Sequence, residues 1–96
     1  MSSKVGLIAV HHPRPGDRGE FIARVELAAA AMRPTPGCLS AECWLDVAGD
    51  AVISTALWES EQARRASLAA ARAAGVDFAY DERESRPREI IRLVAP

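Results

Sequence analysis

CLSAECWLDVAGDAVISTALWES, residues 38 to 60, is the stretch that decides the fold. Two apolar runs, CLSAECWLDV and AVISTALWE, meet at AGD, and runs of this composition around a Gly-containing turn read as a β-hairpin. Upstream, TPGC at 35 to 38 is turn chemistry. Before it, DRGEFIARVELAAAAMR at 17 to 33 places Phe21, Ile22, Val25, Ala28, Ala29 and Met32 at helical spacing. Asp17, with Glu20 three residues on, is the expected N-cap, and Pro34 the stop. The chain's first strand is read over residues 4 to 12, VGLIAVHH and its lysine, because PRPG cannot continue a ladder.

Downstream of the hairpin, SEQARRASLAAARAAG at 60 to 75 predicts a second helix. It has Ser60 as cap, a buried stripe of Ala63, Ala66, Ala70 and Ala74, and Gly75 as stop. PREIIRLVA then supplies a last strand. The order β, α, β, β, α, β is the split βαβ arrangement of ferredoxin-like α+β folds, a four-stranded antiparallel sheet with two helices on one face. With 96 residues, 49% of them hydrophobic, the chain is expected to form one domain over 1–96 that buries roughly 60 to 65% of its unfolded surface.

VGLIAV, AVISTALW and EIIRLV are apolar at both parities, whereas a sheet with one wet face alternates. Two helices cover one face. A second copy of the same sheet is the economical cover for the other, so a homodimer with sheets face to face is expected.

A net charge of −1 with both signs scattered along the chain gives no basic face for nucleic acid or anionic lipid. No stretch approaches the roughly 18 apolar residues of a membrane span, and the N-terminal residues lack a signal-peptide pattern. The expected location is therefore the cytoplasm. Cys38 and Cys43 on one strand are expected about 16 to 17 Å apart on opposite faces, too far for a disulfide, so two free thiols are expected.

The run PGCLSAECWLD opening the hairpin, ALWES closing it, and the SEQAR helix start resemble proteins of the antibiotic biosynthesis monooxygenase family, dimeric α+β barrels. The resemblance covers nearly the whole chain; its most specific parts are Pro36-Gly37 and Trp58-Glu59-Ser60. It implies a pocket between the sheet and its two helices, and oxidation of small aromatic substrates (anthrone, polyketide-like or quinol) by molecular oxygen with no metal, flavin or other cofactor. It equally implies two alternatives: a non-oxidative isomerase or cyclase, and a dimeric module that binds a small apolar ligand without catalysis. The haem-degrading branch is disfavoured. Its first-strand Asn falls on Ile8 or Ala9, the chain has no Asn at all, and no His lies on the second helix.

Within that frame, Trp58 matches the family's pocket tryptophan, with a broad ring and one indole donor. Trp44 is a second substrate-binding candidate, its side of the sheet depending on the hairpin register. Tyr80, the only tyrosine, is a candidate proton handler, and Phe78 a wall residue. Arg92, four residues after Arg88, is placed to hold an enolate or phenolate oxygen, against ion pairs with Glu89 or Glu42. His11 and His12 are the remaining catalytic candidates. Adjacent strand residues point to opposite faces, so at most one enters the pocket. Two histidines with no third clustered ligand make no metal site. The DERESR run and Arg64-Arg65 read as solvated charges.

Overall fold

The computed structural model describes residues 3–78 and 83–96. Its elements are β1 (Val5–His11), α1 (Arg18–Met32), β2 (Cys38–Leu45), β3 (Val52–Trp58), α2 (Glu61–Ala73) and β4 (Glu89–Val94), with a 3-10 turn at Pro15–Asp17 between β1 and α1. The strands pair antiparallel in the order β2-β3-β1-β4. This is the ferredoxin-like βαββαβ fold read from the sequence.

The pairing register assigns every side chain to a face. Leu7, Ala9 and His11 of β1 stand opposite Ala56, Ser54 and Val52 of β3, and Leu7 and Ala9 stand opposite Arg92 and Ile90 of β4. These positions face the helices. Ile8, Thr55 and Ile91 share the other side. The apolar stripe of α1 buries Phe21, Val25, Ala28, Ala29 and Met32, as its spacing requires. Helix α2 buries Ala63, as expected, and then Ser67 and Ala71 in place of the expected Ala66, Ala70 and Ala74. Its phase is set by the Ser60 cap, which accepts a hydrogen bond from Ala63 N at 3.1 Å, and by the Ser67 hydroxyl, which bonds Thr35 across the interface. The large member of the principal core is Trp58, fully buried among Ala28, Ala29, Met32, Ala41, Ala56, Ala63, Ala71 and Val76.

Asp17 is the N-cap residue of α1, as expected, but its side chain makes no capping hydrogen bond; a 3-10 turn at Pro15–Asp17 runs directly into the helix. One expectation is corrected here. Cys38 and Cys43 lie on the same side of the sheet. A register irregularity between Cys38 and Ser40 leaves Cys38 opposite Trp58 and Cys43 opposite Ser54, two positions of equal parity on β3. An inserted residue at a bulge inverts the alternation that the sequence argument relied on. Both cysteines are free, and burial raises each thiol above its ordinary pKa.

Gly37 joins α1 to β2 with φ +82°, and a Cβ added there would lie 2.6 Å from the Ala63 Cβ. Its carbonyl accepts from Glu59 N at 2.9 Å, locking the start of β2 to the start of α2. Gly37→Ala is expected to cost about 2 kcal/mol or more, from the left-handed backbone and the contact together. Gly19→Ala, at an exposed helical position with nothing within 4 Å, is expected to stabilise by about 0.5 to 1 kcal/mol. Urea unfolding of the two variants at equal protein concentration checks the opposite signs.

Candidate active site

Both helices lie over β2 and β3. The helix-facing side over β1 and β4 is left to the segment at 76–78 and to residues 83–88, which cross back over the end of β1. Small side chains there, Ala9, Ser54 and Ala56 on the sheet and Ala28 on α1, leave unfilled volume, and a cavity of about 120 Å³ results. Trp58 and Leu7 wall one end; His11, Arg24 and Arg88 wall the other. Trp58 pairs with Val5 and His11 with Val52, so six residues of strand separate the two ends, about 20 Å of backbone.

Residues 83–88 are fixed to the end of β1 by main-chain bonds. Arg14 N donates to Arg83 O at 2.8 Å and Ser85 N to His12 O at 2.7 Å, and Pro13 and Glu84 form a β-bridge. The bridge turns Glu84 inward, and its side chain is wholly buried. Glu84 Oε2 accepts from Arg88 Nε at 3.1 Å and from Arg88 Nη2 at 2.6 Å. Arg88 Nη1 also donates to Phe78 O at 2.8 Å, which ties the two sides of the cavity rim together. Glu84 Oε1 stands 3.4 Å from His11 Nδ1. Neither of these two buried atoms has a hydrogen-bond partner among the described residues.

His11 therefore sits at the cavity end between Phe21, whose ring centroid is 5.9 Å away edge-on, and the Glu84–Arg88 pair. Burial lowers its pKa below the usual 6.5, the neighbouring Arg88 adds to that, and Glu84 partly opposes it. At the other end the Trp58 indole N–H is buried and also lacks a partner among the described residues.

The two histidines diverge, as adjacent strand residues must. His12 is buried away from the cavity. Its Nδ1 lies 3.2 Å from Arg86 Nη2 and its Nε2 3.0 Å from Glu89 Oε2. Since arginine has only donors, Nδ1 accepts and Nε2–H donates, and both ring nitrogens are occupied structurally. Phe78 lines the cavity with Arg72 against its ring. Trp44 lies on the open face of the sheet, half exposed, with its N–H donated to Thr55 Oγ1 at 3.0 Å, because Trp44 pairs with Ile53 on the side away from the helices. Arg92 has the helix-facing parity but is exposed beyond the cavity; Ile90 and Arg88 occupy the wall instead. Tyr80 lies outside the described residues.

Glu84 was read as one of the solvated charges of DERESR, and it is 2% exposed. Arg88 pairs with it rather than with Glu89 or Glu42. The spacing of four between Glu84 and Arg88 was visible in the sequence, but burial depends on the bridge to Pro13, a contact 71 residues away that no local pattern announces. Arg64, also read as solvated, is mostly covered by its pairing with Glu61. Among the described residues no three His, Cys, Asp or Glu side chains cluster as a metal site, and no helix is long and apolar enough to cross a membrane.

The fold is widely shared among solved structures. A protein from Mycobacterium tuberculosis superposes with a TM-score of 0.76 at 25% identity, over 98% of this chain and 95% of that one. A Chloroflexus aurantiacus protein whose name places it among the antibiotic biosynthesis monooxygenases gives 0.68 at 27% identity, over 98% and 94%. A conserved Methanosarcina mazei protein shares the fold at 12% identity, with a TM-score of 0.79 over 96% and 92%. No functionally curated protein matches the sequence. The family model for the antibiotic biosynthesis monooxygenases matches residues 5–74, from the first strand through the second helix, and the chain belongs to that family.

Proposed function

We propose that this protein is a cofactor-independent oxygenase acting on a single-ring quinol or related phenol, and that it works as a homodimer through the open face of its sheet. The observation that carries the reading is a partly buried histidine at the end of a largely apolar cavity of about 120 Å³, its pKa lowered below the usual 6.5 chiefly by burial. An apolar cavity near 150 Å³ accommodates benzene, so one ring fits this space and a fused tricyclic anthrone exceeds it.

His11 accepts the phenolic proton: the O–H bond breaks, an N–H bond forms on the imidazole, and the electron pair stays on oxygen. The resulting electron-rich ring reduces molecular oxygen. For a quinol with one free ring position, one oxygen atom enters the ring, the other leaves as water, and the four electrons come from the quinol, giving a hydroxyquinone. The apolar walls of the cavity keep the reacting anion from water.

Oxygen uptake with simple quinols is the test. The wild type is expected to consume oxygen with chelator present, and His11→Gln to lower kcat about a hundredfold, the low end for loss of a positioned base. The sign of the pH dependence follows from the imidazole. It works when unprotonated, so activity is level through pH 7 and falls only on acidification below the usual 6.5, because burial holds the His11 pKa under that value. The acid limb should vanish in His11→Gln. Product formation without oxygen would instead indicate isomerisation, and recovery of unchanged quinol would indicate a binding module.

A further inference from the structure

We propose that Glu84 is the positioning carboxylate of His11: it holds the Nδ1 side of the ring so that Nε2 meets the substrate hydroxyl, and it receives the charge when that proton arrives. The assignment rests on His11 being the proton acceptor.

Two buried polar atoms face each other across 3.4 Å, His11 Nδ1 and Glu84 Oε1, and each lacks a hydrogen-bond partner among the described residues. A buried polar atom left unpaired is destabilising, and here two such atoms are each other's nearest remedy. The second carboxylate oxygen is committed to Arg88. Arg88 neutralises the buried carboxylate and aims its free oxygen at the imidazole. Among the described residues, Glu84 is the one acidic group that acts on the ring: α1 contributes Arg24 and Phe21, the 83–88 segment contributes Arg88 beside Glu84, and β3 contributes Val52 opposite His11.

The 3.4 Å separation is long for a hydrogen bond. Once Nε2 takes the substrate proton, the ring is an imidazolium, and its Nδ1–H contact to the Glu84 carboxylate becomes an ion pair with both partners charged, shorter and stronger than the bond from the neutral ring. An interaction that strengthens as the proton moves lowers the barrier rather than merely tightening substrate binding. Arg24 and Arg88 work against the imidazolium, so without Glu84 its formation in this apolar site would be unfavourable.

Nuclear magnetic resonance of the imidazole nitrogens tests the assignment without substrate. The chain has two histidines, and His12→Gln assigns their signals. In the wild type the neutral His11 ring is expected to carry its proton on Nδ1. In Glu84→Gln the His11 titration midpoint should fall by roughly half a pH unit or more, and Glu84→Asp should restore most of it; the His12 midpoint should stay put. Kinetically, Glu84→Gln should lower kcat about tenfold or more with KM within about twofold, and move the acid limb down with the midpoint. A proton on Nε2 in the wild type, or an unmoved midpoint in Glu84→Gln, overturns the proposal. If Glu84→Gln does not fold, the wild-type tautomer and Glu84→Asp carry the test. A midpoint that moves in a protein that oxidises no quinol supports the Glu84–His11 coupling and refutes only the reading of the reaction.

Discussion

Trp58→Ala should cost about 4 to 5 kcal/mol of unfolding free energy, the upper part of the range for removing a buried tryptophan. The neighbours explain why it lies high. Trp58 is 0% exposed, and six of the eight buried residues around it are alanines. Short side chains cannot lean into a vacated site, so the void persists and its walls lose their contacts. A loss of this size is a large share of the roughly 5–15 kcal/mol that holds a domain together. For a chain of this length it lowers Tm by more than about 15 °C.

Trp58→Phe separates two roles of the residue. It removes part of the volume and the indole N–H, and that N–H has no partner among the described residues. Its stability cost should therefore be a volume cost alone, about 1–2 kcal/mol, with nothing added for loss of the donor. Unfolding curves at one fixed protein concentration are needed, because dimerisation adds to apparent stability. A Trp58→Ala cost under about 1 kcal/mol would mean that the alanine-rich core closes around the gap, contrary to the rigidity argued here.

Sequence periodicity located all four strands and both helices because each carries a face that must be buried, and burial leaves a period of two or about 3.6. It failed where a single residue changes the phase. The irregularity after Cys38 put both cysteines on one side, and the phase of α2 buries Ser67 and Ala71 where Ala66 and Ala70 were expected. The site was legible in proportion to how local its causes are. That one of His11 and His12 faces the helices follows from strand alternation alone; which one does was decided by the register with β3, where His11 stands opposite the buried Val52. Glu84 was not legible. A carboxylate in a run of charges looks solvated, and only the bridge to Pro13 and the pairing with Arg88 make its burial tolerable.

Leu57→Asp is expected to turn a dimer into a monomer. Leu57 lies on β3, a central strand, pointing away from the helices; it is 44% exposed, and with Leu93 it closes over Gly6, where an added Cβ would lie 2.7 Å from Leu57 and 3.2 Å from Leu93. Trp44, Ile91 and Leu93 on the same side are also exposed, at 52%, 49% and 39%. Four strands of this length present a face of roughly 20 by 23 Å, on which Thr55, Ser40, Glu42 and Glu89 stand beside the apolar side chains, and a cluster of exposed apolar residues rimmed by polar ones marks an interaction surface. A two-fold pairing buries each position twice, so one substitution places two carboxylates in the same apolar interface. Each must either be desolvated or keep the sheets apart, and the dimer dissociation constant should rise by a factor of about a thousand or more. Leu27→Asp provides the comparison: Leu27 is equally exposed, at 47%, but on α1, outside the sheet face, and its mass by sedimentation should equal that of the wild type. A wild-type chain that sediments as a monomer at micromolar concentration would refute the sheet-to-sheet dimer; a dimer that survives Leu57→Asp but not Leu27→Asp would move the interface to the helices.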